Sequence, residues 1–266
     1  MDRVGIIGYG HMGSMLANGF LTSGMLAPGD LVVASRSRRG LAECAAVWPG
    51  IAIAATNRDL ARRCRTIIVA VRPQETMGVF REIVPVMDGD EHIVSLAAGI
   101  SLQEIEGVYA GPVSRVVPTA TSAVGEGTTL VCHGRRVGTD EAIMVENLFS
   151  AVGNVMPVGE EDLPAATLLS SCGPGLLAAI IGELAGATAR ASNLPPEQAL
   201  LLATDLLTAT AAYLRETGRT PEALIAEVAT RGGVTEVGVQ GFRDRLPGVF
   251  DDVFAAMLER YGTVGK

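Results

Sequence analysis

Six residues, Gly8-Tyr9-Gly10-His11-Met12-Gly13, stand between a short apolar run at 3–8 and an apolar-periodic segment over about 12–24. Glycine at three of these positions permits a tight turn, a close backbone approach to a bound group and close packing of helix on strand. Asp30-Leu31-Val32-Val33-Ala34-Ser35 follows as a second strand, so residues 3–35 read as one β-α-β unit. A glycine loop entering a helix presents backbone N–H groups and the positive end of the helix dipole, and the anion that this spacing fits is the pyrophosphate of a dinucleotide. An acid at the end of the second strand would take the ribose 2′-hydroxyl of NAD, but the chain has Ser35-Arg36-Ser37-Arg38-Arg39 there. Hydroxyl and guanidinium donors suit a 2′-phosphate, which favours NADP(H).

The alternation continues with a helix near 38–47, a short strand at 50–54, a helix near 57–64 and the apolar strand Thr66-Ile67-Ile68-Val69-Ala70-Val71. Further elements are a helix around 75–87, a strand at 92–96, a helix from Ser101, strands at 113–117, 128–132 and 154–158, and a helix at 139–151. This pattern predicts an α/β fold, a Rossmann-type doubly wound parallel sheet with helices on both faces, over residues 1–159. From about 160 strand signals stop, and Ala/Leu-rich segments at 162–191, 195–217, 220–229 and 234–262 predict an all-helical domain over 160–266. Such a bundle carries more apolar surface than it can cover alone, so a homodimer or higher homo-oligomer through this domain is expected.

Composition narrows the partners. Twenty-one basic against 29 acidic side chains, net −8, leave no basic stripe for nucleic acid, and the arginine runs at 36–39 and 62–65 are short. Cys44, Cys64, Cys132 and Cys172 lie far apart without metal-ligand spacing and read as free thiols, with no metal. The first eight residues carry an acid at position 2 and too short an apolar run for a signal peptide, so a cytoplasmic chain is expected. The uncharged stretch 163–182 approaches span length but is broken at Ser170-Ser171-Cys172-Gly173-Pro174-Gly175, and reads as a buried, kinked helix pair with no membrane role.

Scarcity bears on the chemistry. Lys266 is the only lysine, and the three histidines are His11, His92 and His133, so the helical domain lacks the usual proton donors for a developing alkoxide. A cyclic imine makes no such demand. Its nitrogen arrives protonated, and hydride addition then gives a neutral amine without an acid from the protein. Orientation against the nicotinamide supplies the rate, through effective molarities of about 10⁵ to 10⁸ M.

The chain resembles the pyrroline-5-carboxylate reductase family, which reduces 1-pyrroline-5-carboxylate to L-proline with NADPH. The likeness rests on Gly8–Gly13; Ser35-Arg36-Ser37; Thr56-Asn57; Ala70-Val71-Arg72-Pro73-Gln74; Ser95-Leu96-Ala97-Ala98-Gly99-Ile100; Arg115-Val116-Val117-Pro118; Gly125-Glu126-Gly127; Gly173-Pro174; and Gly232-Gly233-Val234-Thr235, in that order. It implies that Gly8, Tyr9, Gly10, His11, Met12 and Gly13 hold the pyrophosphate, Ser35, Arg36 and Ser37 the 2′-phosphate, and Asn57 the adenosine side. Val71, Arg72, Pro73, Ala97, Ala98 and Gly99 would line the nicotinamide half. Gly232, Gly233 and Val234 would grip the substrate carboxylate through backbone N–H groups, and Thr235, as catalytic residue, would reach the imine nitrogen.

Three ligand-facing segments depart from the family pattern. Met-Pro-Asn-Thr-Pro stands here as Val117-Pro118-Thr119-Ala120-Thr121, Ser-Gly-Ser-Gly-Pro-Ala as Ser170-Ser171-Cys172-Gly173-Pro174-Gly175, and Ser-Pro-Gly-Gly as Thr230-Arg231-Gly232-Gly233. Thr119, Cys172 and Thr230 are therefore further candidate substrate contacts. Altered hydrogen-bonding groups there keep two alternatives open: an imine reductase for another cyclic imine in a specialised pathway, and a non-catalytic NADP-binding regulatory homologue.

Overall fold

The structure is a computed structural model and describes residues 3–263. Eight strands form one sheet: β1 (Val4–Ile7), β2 (Leu31–Ala34), β3 (Ala52–Ile53), β4 (Thr66–Val69), β5 (His92–Ser95), β6 (Val113–Val117), β7 (Gly127–His133) and β8 (Gly153–Pro157). Their order is β3-β2-β1-β4-β5-β6-β7-β8. Helices α1 (His11–Thr22), α2 (Arg38–Val47), α3 (Asn57–Ala61), α4 (Pro73–Ile83), α5 (Leu102–Glu106) and α6 (Thr139–Ser150) alternate with the strands.

β1, β2 and β4 read as nearly unbroken apolar runs because both faces of the sheet are covered there. Ile6, Val33, Ile68 and Val94 join Leu16, Phe20, Leu148 and Phe149 in one core. Their neighbours Ile7, Val32, Ile67 and Ile93 join Leu60, Phe80, Ile83 and Ile105 in the other. Phe20 and Phe149 meet edge to face at 5.6 Å, locking α1 to α6.

The sheet corrects one expectation: β7 runs antiparallel to β6, with Val116 opposite Val131. The link from Val117 to Gly127 is too short for a helical crossover, so the chain turns back through the short helical turn Ala120–Val124. β8 then lies parallel to β7.

Contacts divide the chain into one compact unit running through Cys172, with the chain end from Leu258, and another covering Gly173–Met257. The first unit thus extends past 159, where the sequence reading placed a domain boundary. Helix α7 (Leu163–Ser170) belongs to the sheet, because Leu163 is fully buried in its core. Just before it, Glu160 accepts from the Leu102 N–H at 2.6 Å and from the buried Arg115 at 3.0 Å. Removing either partner of that pair would leave a poorly solvated charge.

The second unit holds α8 (Gly173–Arg190), α9 (Pro196–Thr217), α10 (Pro221–Val228) and most of α11 (Val234–Tyr261). Ala185, Ala199 and Ala203 form its small core, where α8 packs on α9. A short break separates α7 from α8, and among the described residues no single helix is long and apolar enough to cross a membrane. Burial of this helix pair, expected from sequence, holds only in part: α7 buries Leu163, Thr167 and Leu168 but leaves Leu169 exposed, and Leu177, Ile180 and Leu184 of α8 are exposed, as are Leu201, Leu202 and Leu206 of α9. Cys44, Cys64 and Cys132 are buried and Cys172 half-buried, all as free thiols.

A polar chain crosses β5, β6 and β7. His92 Nε2 lies 2.7 Å from Ser114 Oγ, Ser114 Oγ 2.7 Å from His133 Nδ1, and His133 Nε2 3.3 Å from Glu146 Oε1. Burial, and then the neighbouring His133, push His92 down to about 4. The unfolded chain protonates His92 near 6.5 and the native chain only near 4, so below 6.5 the unfolded state binds the extra proton. The contribution of His92 to stability should therefore fall by roughly 3 kcal/mol between pH 6.5 and 4 and then level off. In His92→Asn, urea midpoints should decline less steeply over that window; an unchanged slope would place the acid sensitivity elsewhere.

Candidate active site

Open α/β sheets place ligands beyond the carboxyl ends of their strands, where the strand order reverses. Here that point lies between β1 and β4, and a cavity of about 790 Å³ opens there. Ile7, Gly8, Tyr9 and Gly10 form one wall, Ala34, Ser35, Arg36 and Ser37 another, and Ala70, Val71 and Arg72 a third. Asn57, Glu75 and Glu82 complete its polar lining.

The glycine loop is shaped by close approach. Gly8 has φ +102°, and a Cβ on it would lie 2.6 Å from the Ala70 carbonyl oxygen. A Cβ on the buried Gly13 would collide with the Gly8 carbonyl oxygen, whereas at Gly10 it would meet nothing, so the loop is open toward the cavity only at that point. Helix α1 begins immediately after, with no side-chain cap on its first N–H groups. Those uncapped donors and the size of the cavity fit a dinucleotide pyrophosphate.

At the end of β2 two serine hydroxyls hold the turn that borders the cavity. The Ser37 hydroxyl caps α2 by accepting from the Gly40 N–H at 3.3 Å, and Ser35 Oγ accepts from the Ser37 N–H at 3.2 Å. Arg36 extends into solvent and pairs with Glu75 Oε1 at 2.6 Å. Arg72, just before α4, reaches the same oxygen at 2.9 Å. Asn57, at the start of α3, donates to Glu82 Oε2 at 2.7 Å. Tyr9 lines the cavity, but burial, with a hydrogen bond to Cys44, raises its phenol well above the ordinary range and keeps it neutral.

Most of the sequence-derived cofactor residues thus meet in one cavity: Gly8, Tyr9, Gly10, Ser35, Arg36, Ser37, Asn57, Val71 and Arg72. Met12 and Gly13 stand behind the loop in α1, and Pro73 starts α4. His11 opens a neighbouring groove with Ser14, Asn18 and Ser122–Gly125. Ala97, Ala98 and Gly99 form the turn after β5, with Ala97 buried and Gly99 at φ +77°. Thr119 is 1% exposed, and its Oγ1 lies 3.4 Å from that of Thr121. Cys172 is the half-buried residue at the break between α7 and α8.

The loop Thr230–Thr235 lies in the helical unit. The Gly232 N–H donates to Glu236 Oε2 at 2.6 Å, and the Gly233 N–H to the Thr230 carbonyl at 2.8 Å. Gly232 takes φ +75°, and a Cβ on Gly233 would crowd Thr230, so both glycines are required by the turn. The N–H groups of Val234 and Thr235, at the start of the 28-residue α11, have no intrahelical partner. Thr235 is exposed at that start.

Sequence reasoning missed the carboxylates. Glu75 and Glu82 line the cavity, and Glu236 ties the glycine turn. Glu236, three residues after Gly233, is a capping-type signal readable in the sequence. Glu75 follows Arg72 at i+3, yet no local pattern announces its partner Arg36.

Comparison with known proteins agrees with this geometry. Residues 160–264 match the family described as pyrroline-5-carboxylate reductase dimerisation, and residues 3–99 match NADP oxidoreductase coenzyme F420-dependent. Pyrroline-5-carboxylate reductase 3 of Bacillus subtilis is 31% identical over 262 residues, 98% of this chain and 96% of that one. A solved pyrroline-5-carboxylate reductase of Coxiella burnetii superposes with TM-score 0.92 at 26% identity, covering 100% of this chain and 99% of that one. A Plasmodium falciparum pyrroline carboxylate reductase solved with NADP bound superposes with TM-score 0.86 at 22% identity, over 100% of this chain and 98% of that one. With the glycine-loop cavity of the sheet and the apolar helical unit both in place, the chain belongs to the pyrroline-5-carboxylate reductase family.

Proposed function

We propose that this protein reduces 1-pyrroline-5-carboxylate to L-proline with NADPH, working as a homodimer whose second copy covers the exposed leucines of α8 and α9. The observation that carries the reading is the cavity at the β1/β4 switch point, with hydroxyl and guanidinium donors at the end of β2, in a chain of this family.

The two units divide the work. In the first, the uncapped start of α1 takes the pyrophosphate, Ser35, Arg36 and Ser37 the 2′-phosphate, and Asn57 the adenosine side. Val71, Arg72, Pro73, Ala97, Ala98 and Gly99 border the nicotinamide half. Bound there, NADPH supplies the hydride. In the second unit the free N–H groups at the start of α11 take the substrate carboxylate without any charged side chain, beside Gly232 and Gly233. The Thr235 hydroxyl accepts from the N–H of the protonated imine and so fixes the C=N carbon in line for attack. Hydride adds to that carbon, the C=N π electrons move to nitrogen, and the product is a neutral amine with no proton drawn from the protein. Thr119, Cys172 and Thr230 border the substrate in this reading and shape its specificity.

Purified protein should oxidise NADPH when given 1-pyrroline-5-carboxylate. Turnover only with bulkier cyclic imines would assign it to specialised imine reduction, and tight NADPH binding without turnover of any imine would make it a nucleotide sensor. Thr235→Ala should cost about 10- to 100-fold in kcat while NADPH affinity stays within about twofold; unchanged turnover would remove Thr235 from the chemistry. Arg36→Glu should weaken NADPH binding about tenfold or more and leave NADH within about threefold. Equal losses for both cofactors would overturn the phosphate assignment.

A further inference from the structure

We propose that Glu75 sets how strongly this cavity prefers NADPH over NADH. The inference rests on the reading that Arg36 addresses the 2′-phosphate. The structure shows the two cationic side chains of the cavity wall, Arg36 and Arg72, converging on one atom, Glu75 Oε1, at 2.6 and 2.9 Å. Arg36 lies at the end of β2 and Glu75 in the first turn of α4, so the contact spans the mouth of the cavity between two separate elements. The arginines are largely exposed, at 82% and 74%, while the carboxylate between them is only 26% exposed.

Three consequences follow from charge alone. First, the guanidinium that would read the 2′-phosphate already has a carboxylate partner, so binding the phosphate means displacing or sharing it. Second, a dianionic phosphate on Arg36 would sit near the Glu75 carboxylate, and like charges at that range oppose binding. Third, neither arginine uses Glu75 Oε2, and a carboxylate oxygen is the acceptor that a ribose 2′-hydroxyl requires. The acid missing from the end of β2 is thereby supplied from α4. Glu75 narrows the preference that Ser35-Arg36-Ser37 would otherwise impose, by weakening the phosphate form and accepting a hydrogen bond from the hydroxyl form. Its ionised state is secured chiefly by the hydrogen bond from Arg72, with Arg36 acting in the same sense against a cost of desolvation.

The test is direct titration of NADPH and NADH into the full-length wild type, Glu75→Gln, Arg36→Ala and the double variant. Glu75→Gln keeps the size of the side chain and removes its charge. It should tighten NADPH about three- to tenfold and leave NADH unchanged or weaker, so that the ratio of the two Kd values widens. In the Arg36→Ala background the same substitution should have a much smaller effect on NADPH. An unchanged ratio in Glu75→Gln, or NADPH weakened as much as NADH, would overturn the proposal and leave Glu75 as a positioning residue for the arginines. If Arg36→Ala leaves NADPH affinity untouched, the phosphate assignment itself fails, which is a separate result from the first.

Discussion

The Gly8 carbonyl oxygen occupies the space that a side chain on Gly13 would need. That contact lets α1 start directly against the end of β1, and it leaves the first N–H groups of the helix uncapped beside the cavity. The rest of the site follows from it. Were the loop wider, the Ser35–Ser37 turn and the Val71–Arg72 turn would no longer share a cavity with the start of α1. A glycine at position 8 answers the same demand from the other side, where the backbone just past β4 at Ala70 passes close by.

Much of this was legible in the sequence because burial dictates it. Strands covered on both faces are mostly apolar, and the run at 66–71 showed as much. The direction of β7 was not legible, since a strand buried on both faces reads alike in either sense; only the length of the link from Val117 to Gly127 hinted at the reversal. The site was legible where it consists of backbone, as at Gly8–Gly13 and Gly232–Gly233, because glycine marks a geometric need. It was illegible where it consists of ion pairs between distant segments. Arg36 was legible as a cation beside the cavity, but nothing in its vicinity along the chain points to Glu75.

The two units also differ in how complete they are. The sheet unit closes its own cores, down to fully buried Phe20, Phe80 and Phe149. The helical unit has a core of three alanines and leaves leucines of α8 and α9 exposed. Small residues allow α8 and α9 to approach closely, yet alanines bury too little apolar surface to account for a stable bundle alone. The match of this region to a dimerisation family gives those leucines a reason.

The reversal between β6 and β7 has a consequence for how the molecule meets acid. His92 begins β5 at the end of the sheet opposite the nucleotide cavity, and the turn-back at 118–126 brings His133, which ends β7, to the same end. Protons taken up at His92 therefore enter at one rim, while the nucleotide-sized cavity opens at the other. Acid sensitivity at His92 and the nucleotide-sized cavity thus lie on separate rims of one sheet, where selection could adjust either with little disturbance to its counterpart.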